Sequence, residues 1–66
     1  MKNTIKVERA KLGISQTELA ENVGVSKQTI HSVETGRFVP STVLALKIAR
    51  FFNAPVESIF ELEPTD

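Results

Sequence analysis

The sequence predicts an all-α fold, a compact five-helix bundle, from two observations. Apolar residues recur at helical spacing in five short segments, and turn or capping residues separate each segment from the next. Two of these segments, 16–23 and 27–35, are separated by only three residues. Such a tight break between two amphipathic helices is the layout of a helix-turn-helix. We therefore place that motif at residues 16–36 of a single domain spanning residues 1–66.

The size and composition of the chain narrow its function class. A core built from 66 residues is only marginally stable without a metal, a disulfide or a partner chain. The chain has no Cys and one His, so we expect no disulfide, metal site or cofactor, and association with a second copy is the remaining candidate. It has no apolar run of about 18 residues and no signal-like N-terminal segment, so we expect a cytoplasmic protein without a membrane span.

Charge is balanced overall but unevenly distributed. The formal net charge is zero, which argues against a protein that only coats nucleic acid nonspecifically. Residues 1–37 contain six basic and four acidic residues, whereas residues 38–66 contain two basic and four acidic ones. The split of plus two against minus two favours an N-terminal part that faces DNA.

A charged residue interrupts the apolar face of the first predicted helix, residues 4–12. Ile5 and Leu12 define that face, and Arg9 lies on it between them. On the third predicted helix, Glu34 shares the inward face with apolar residues. A buried Arg9–Glu34 ion pair explains both positions, and the alternative is that both side chains extend to solvent.

Capping residues predict where the central helices begin and end. Ser15 and Glu18 form a capping box at the start of the second helix, which buries the stripe Leu19, Ala20 and Val23. Gly13 and Gly24 end the first and second helices. Ser26 caps the third helix and Gly36 closes it. The face of this third helix opposite its apolar stripe carries Gln28, Ser32 and Thr35, side chains suited to base edges and phosphates.

The fourth predicted helix, residues 42–52, is apolar on two neighbouring faces. A helix of this kind is buried on more than one side, and a 66-residue monomer offers little surface to cover it. Pro55 is expected at the first position of a short fifth helix. We expect residues 42–62 to contribute to a dimer interface, the alternative being simple core. The interface residues are Leu44, Phe51, Ile59, Phe60 and Leu62.

The end of the chain alternates apolar and acidic residues from Phe60 to Glu63, and Pro64 follows. A period of two predicts a short edge strand, which Pro64 would end. Its expected partner is the segment near Met1. The alternative is a frayed tail.

Several motifs resemble those of the Cro/repressor-type (Xre-like) helix-turn-helix family, in a small stand-alone form similar to the cytolysin-repressor type. They are Ser15-Gln16-Thr17-Glu18-Leu19-Ala20, Gly24-Val25-Ser26, Gln28-Thr29-Ile30, Glu34-Thr35-Gly36, Pro40-Ser41 and Ala45-Leu46-Lys47-Ile48-Ala49. The resemblance covers nearly the whole chain. It implies a five-helix bundle of the lambda-repressor-like DNA-binding type, a homodimer, a palindromic double-stranded DNA operator and a buried Arg–Glu pair at Arg9 and Glu34.

The resemblance also implies roles for single residues. The family's base-contacting positions are occupied by Lys27, Gln28 and Ser32. Positions that contact the DNA backbone or support the base contacts are occupied by Gln16, Thr17, Ser26, His31 and Arg37. Several phage repressors carry Gln where this chain has Lys27 and Ser32, so their operator sequences do not transfer to it.

We therefore expect a DNA-binding transcriptional regulator acting as a repressor, with no small-molecule ligand. The competing hypothesis is a protein-interaction module, such as an antitoxin, built on the same bundle. Apolar or acidic residues on the exposed face of the third helix would favour that hypothesis, and this chain has Lys27, Gln28, Ser32 and Thr35 there. An enzyme is not expected, because the chain has no paired carboxylates, nucleophile–base set or glycine-rich phosphate loop.

Overall fold

Five helices and a two-stranded sheet make up the fold. The computed structural model describes all 66 residues. In chain order the elements are β1 (Lys2–Asn3), α1 (Ile5–Leu12), α2 (Gln16–Val23), α3 (Lys27–Glu34), α4 (Thr42–Phe51), α5 (Val56–Ile59) and β2 (Phe60–Glu61). The predicted all-α five-helix bundle is confirmed. None of the helices has the length and apolar character needed to span a membrane.

The two strands join the beginning of the chain to its end. They pair antiparallel, with Lys2 opposite Glu61 and Asn3 opposite Phe60. The Thr4 amide extends the pairing by donating to the Ile59 carbonyl at 2.9 Å. The predicted edge strand is therefore present in place of a frayed tail, but it ends at Glu61 and not at Pro64.

Local hydrogen bonds set the ends of the central helices as predicted. Ser15 Oγ accepts from the Glu18 amide at 3.0 Å, and the Glu18 carboxylate accepts from the Ser15 amide at 3.3 Å. Ser26 caps α3 in the same way through the Thr29 amide. Gly24 adopts φ 76° at the tight turn between α2 and α3, a left-handed conformation that glycine adopts without steric cost. The spacing of the helix-turn-helix thus follows from its caps.

Four helix ends differ from the predicted ones by one residue, and one of them is the end of the fourth helix, which is Phe51 with Phe52 as its cap. Thr4 precedes α1, and Pro55 precedes α5 in an extended conformation, so neither lies within its helix. The third helix ends at Glu34 because Thr35 forms its cap, and the left-handed residue Gly36 then turns the chain away. Differences of this size arise because helix ends are the weakest part of a periodicity pattern.

The core contains 11 apolar residues contributed by every helix and by β2. They are Ile5, Leu19, Ala20, Val23, Ile30, Val33, Leu44, Ile48, Ala49, Ile59 and Phe60. Leu12 is absent from this set and is 55% exposed, so its predicted place in the core was wrong. The chain turns at Gly13 directly after α1, and Ile14 packs against the core instead.

The structure also corrects the predicted dimer interface. Leu44, Ile59 and Phe60 are buried within the single chain, because α5 packs against α4 and β2 pairs with β1. They have almost no surface left for a second subunit. Phe51 is half-buried and Leu62 is exposed, so only these two of the five predicted residues remain available for an interface.

Candidate nucleic-acid interface

A buried ion pair holds the C-terminal end of α3 against α1. Arg9 donates from Nη2 to Glu34 Oε1 at 2.8 Å and from Nε to Glu34 Oε2 at 3.0 Å. Its Nη1 donates to the Ile14 carbonyl at 3.0 Å. The two side chains are 15% and 6% exposed, so the pair forms at the predicted positions and is largely shielded from solvent. Hydrogen bonding to Glu34 raises the pKa of Arg9 above its ordinary value.

Asn3 fastens the same end of α3 to the sheet. Its Nδ2 donates to the Val33 carbonyl at 2.9 Å and reaches the Glu34 carbonyl at 3.5 Å. Carbonyls in the last turn of a helix have no partner within the helix, so Asn3 supplies one. Sequence reasoning missed this residue, because no local pattern signals a bond between positions 30 residues apart.

Gln16 connects this buried pair to the surface of α3. Its Nε2 lies 3.4 Å from Glu34 Oε2 and 3.3 Å from His31 Nδ1. A carboxylate only accepts hydrogen bonds, so the Gln16 amide group must turn its NH₂ toward Glu34. The first residue of α2 is thereby held in a fixed orientation beside the exposed side of α3.

Six of the eight predicted DNA-contacting residues line one open cleft. The cleft lies along α3 at the mouth of α2 and continues into the following loop. Its lining residues are Gln16, Lys27, Gln28, His31, Ser32 and Arg37. All six residues are polar, and they come from α2, from α3 and from the loop after α3. This agreement is the main support for the predicted site.

The other two predicted residues lie outside that cleft. The Ser26 hydroxyl accepts from the Thr29 amide at 3.1 Å and is 3.0 Å from the Thr29 hydroxyl, so capping is its established role. Thr17 is exposed in the first turn of α2. Both stand near helix N-termini, where free amide groups and the helix dipole favour phosphate.

The cleft is suited to DNA by its charge and by its hydrogen-bonding groups. Lys27 and Arg37 are exposed cations, and no acidic residue is among the lining side chains. The nearest carboxylate, Glu34, is engaged by Arg9. Carboxamide, hydroxyl and ammonium groups on an exposed helix face match the donors and acceptors of the major groove.

A second, smaller cleft flanks the same row of residues and was not predicted. It is lined by Gln28, Thr29, Ser32 and Phe38, so it shares Gln28 and Ser32 with the polar cleft. Phe38 is 49% exposed. The only signal for it in the sequence was an aromatic residue in a loop directly after Arg37, and helical periodicity does not extend to loops.

Known proteins are similar to this chain over most of its length. A family model described as helix-turn-helix matches residues 5–59. The chain is 49% identical over 63 residues to a Bacillus subtilis protein named as an HTH-type transcriptional regulator, with 96% of each chain covered. A protein of Methanocaldococcus jannaschii with the same description is 48% identical over 63 residues, again with 96% of each chain covered.

A third relative comes from Archaeoglobus fulgidus and is also named as an HTH-type transcriptional regulator. It is 52% identical over 60 residues, which cover 91% of this chain and 84% of that protein. The family model and these relatives describe regulators rather than enzymes. The chain therefore belongs to the helix-turn-helix family of DNA-binding transcriptional regulators.

Proposed function

We propose that the chain is a repressor that binds a palindromic operator as a homodimer, with α3 of each subunit in the major groove. The observation that carries this proposal is the cleft in which Lys27, Gln28 and Ser32 of α3 converge with Gln16 and Arg37. Three of these residues belong to one exposed helix face. The other two flank that face from α2 and from the loop after α3.

The residues of α3 are assigned to base contacts by their chemistry. The Gln28 carboxamide matches N6 and N7 of adenine, and the Lys27 ammonium matches O6 and N7 of guanine or a phosphate. The Ser32 hydroxyl both donates and accepts, so it fits either kind of base. Gln16, His31 and Arg37 border these residues and are assigned to the DNA backbone, which positions the helix without reading sequence.

A homodimer follows from the small size of this contact row. One recognition helix contacts only a few base pairs, whereas a two-fold dimer doubles the site by placing two helices about 34 Å apart. A pseudo-palindromic operator mirrors that symmetry. A dimer bound over a promoter would repress transcription by occupying the DNA that the polymerase needs.

The proposed dimer surface is a groove between α4 and α5, which does not include Phe51 or Leu62 of the interface predicted from the sequence. Val43 and Leu46 are exposed apolar residues on the α4 side of this groove, and residues 54–56 form the other side. Lys47 and Arg50 on α4 and Glu57 on α5 also line it. With the two-fold axis running along the groove, Lys47 and Arg50 of one subunit would face Glu57 of the other, so the groove is suited to a second copy of the chain.

The interaction-module alternative is less well supported by the exposed side of α3. An interface for a protein partner would have an apolar centre. The α3 surface in the polar cleft instead carries Lys27, Gln28, His31 and Ser32.

Selection of bound duplexes from a random DNA library tests the proposal. We expect enrichment of one sequence with two inverted half-sites about one helical turn apart. Sedimentation of the protein with the enriched duplex should then show two chains per duplex. Failure to enrich any sequence would contradict specific DNA recognition, and a single half-site bound by one chain would contradict the dimer.

A further inference from the structure

Phe38 presents an apolar side chain beside Gln28 and Ser32, two of the proposed base-contacting residues. It lines one cleft with Gln28, Thr29 and Ser32, and it is 49% exposed. The other three phenylalanines, Phe51, Phe52 and Phe60, are buried or half-buried against the core. Phe38 is thus the most exposed phenylalanine of the single chain, with about half of its surface open to solvent.

The position of Phe38 relative to α3 is fixed by the backbone. The amides of Arg37 and Phe38 both donate to the Ser32 carbonyl, at 3.0 and 3.1 Å. Two bonds to a residue of the contact row fasten the loop to the recognition helix. The backbone of Phe38 is therefore held at a fixed position relative to α3. If α3 lies in the major groove, Phe38 lies at the edge of that groove beside Gln28 and Ser32.

Apart from Gln28 and the Ser32 hydroxyl, the cleft beside Phe38 offers little free hydrogen-bonding capacity. The Thr29 hydroxyl is paired with Ser26 Oγ at 3.0 Å, and the Ser32 carbonyl accepts from both loop amides. Among the groups that bases present in the major groove, the C5 methyl of thymine is the apolar one, and phenylalanine is among the side chains that contact it.

We propose that Phe38 recognises a thymine by packing against its C5 methyl group, next to the base contacted by Gln28. The inference rests on the proposed function, because it requires α3 in the major groove. Phe38 then adds selectivity that hydrogen bonds do not provide, because cytosine has no C5 methyl group. Uracil differs from thymine only by the absence of that methyl group. The recognition surface consists of a polar cleft on one side of Gln28 and Ser32 and an aromatic ring on the other.

Replacement of single thymines by deoxyuridine tests this inference. The probe is the duplex that the wild-type protein selects from the random library, with the same thymine replaced in both half-sites. At one such position we expect the affinity of the wild-type protein to fall about fourfold for each half-site, which corresponds to one buried methyl group. Phe38→Ala should bind the thymine duplex less tightly than the wild type and should show no further loss with deoxyuridine at that position.

Two further variants keep the test decisive. Val7→Ala removes an exposed apolar side chain of α1 that lines neither cleft, and it should retain the deoxyuridine sensitivity of the wild type. Phe38→Leu keeps an apolar side chain and serves as the second variant if Phe38→Ala folds poorly. It should show a smaller deoxyuridine effect than the wild type. The inference is wrong if no thymine is sensitive in the wild type, or if both Phe38 variants keep the full sensitivity. In either case tight binding of the selected duplex by the wild type leaves the proposed function intact, whereas absence of a selected duplex contradicts that function itself.

Discussion

Arg9 holds Glu34 through two parallel hydrogen bonds of 2.8 and 3.0 Å, although the two residues are 25 positions apart. The pair fixes the last turn of α3 relative to α1. Because Gln16 also contacts Glu34, the same carboxylate supports a residue of the DNA-facing cleft. Glu34 therefore contributes both to the stability of the fold and to the orientation of Gln16 in the cleft.

Removal of one partner of this pair should strongly destabilise the fold. Arg9→Ala leaves the Glu34 carboxylate buried without its cation, which costs about 3 to 5 kcal/mol. In a domain of this size each kcal/mol corresponds to a drop of about 4 to 8 °C in Tm. Thermal and urea unfolding followed by circular dichroism measure the loss. The matched control is Lys11→Ala, which removes the exposed Lys11–Glu8 pair and should change stability by less than about 1 kcal/mol. Equal effects of the two variants would show that the Arg9 pair is not buried in solution.

Removal of both partners should be less harmful than removal of one. Arg9→Met combined with Glu34→Leu replaces two desolvated charges by apolar groups of similar length, and such exchanges are often neutral or stabilising. We expect the double variant to unfold at a higher temperature than Arg9→Ala. Its DNA affinity should nevertheless fall, because Gln16 loses the carboxylate that orients it. A double variant no more stable than Arg9→Ala would contradict the desolvation argument.

Gln16 should determine the tautomer of His31. Its NH₂ group is turned toward Glu34 and also lies 3.3 Å from His31 Nδ1, so this ring nitrogen must accept. The neutral imidazole then carries its proton on Nε2. Nitrogen-15 NMR of the imidazole ring distinguishes the two tautomers directly. Wild-type protein should show the Nε2–H form, and Gln16→Ala should show a mixture. A predominant Nδ1–H form in the wild type would contradict the Gln16 orientation.

A charge placed in the α4–α5 groove should dissociate the proposed dimer. Leu46 lines that groove and is 54% exposed, whereas Leu12 on α1 is 55% exposed and lies outside it. Leu46→Glu and Leu12→Glu therefore introduce the same charge at the same exposure. In sedimentation at micromolar concentration we expect Leu46→Glu to be monomeric and Leu12→Glu to behave like the wild type. Dimers of unchanged affinity in Leu46→Glu would place the interface elsewhere.

The local features of the fold were predictable from the sequence. The Ser15 capping box, the Ser26 cap and the glycine after each of the first two helices give the helix-turn-helix its spacing through bonds within a few residues. Arg9 and Glu34 were also predictable as partners, because each is a lone charge on an otherwise apolar face.

Features that depend on how the whole chain folds, or on whether a second chain covers a residue, were not predictable from the sequence. Periodicity marks Leu44, Ile59 and Phe60 as buried, but it does not distinguish burial in the monomer from burial in a dimer. Leu12 has the spacing of a core residue, yet its helix ends there. Asn3 and Phe38 act through contacts that the folded chain creates, so no pattern near them in the sequence indicates their positions.

The most direct test of the central claim compares Gln28→Ala with the wild type on the selected duplex and on a duplex in which the half-sites are scrambled. A bidentate contact to one base is worth about 1 to 3 kcal/mol of discrimination, so the preference for the selected duplex should fall by roughly 5- to 150-fold for each half-site. Because Gln28 is exposed, the melting curve of Gln28→Ala should match that of the wild type. The control is Lys6→Ala, which changes an exposed lysine of α1 outside both clefts. An undiminished preference in Gln28→Ala would contradict the assignment of α3 as the recognition helix.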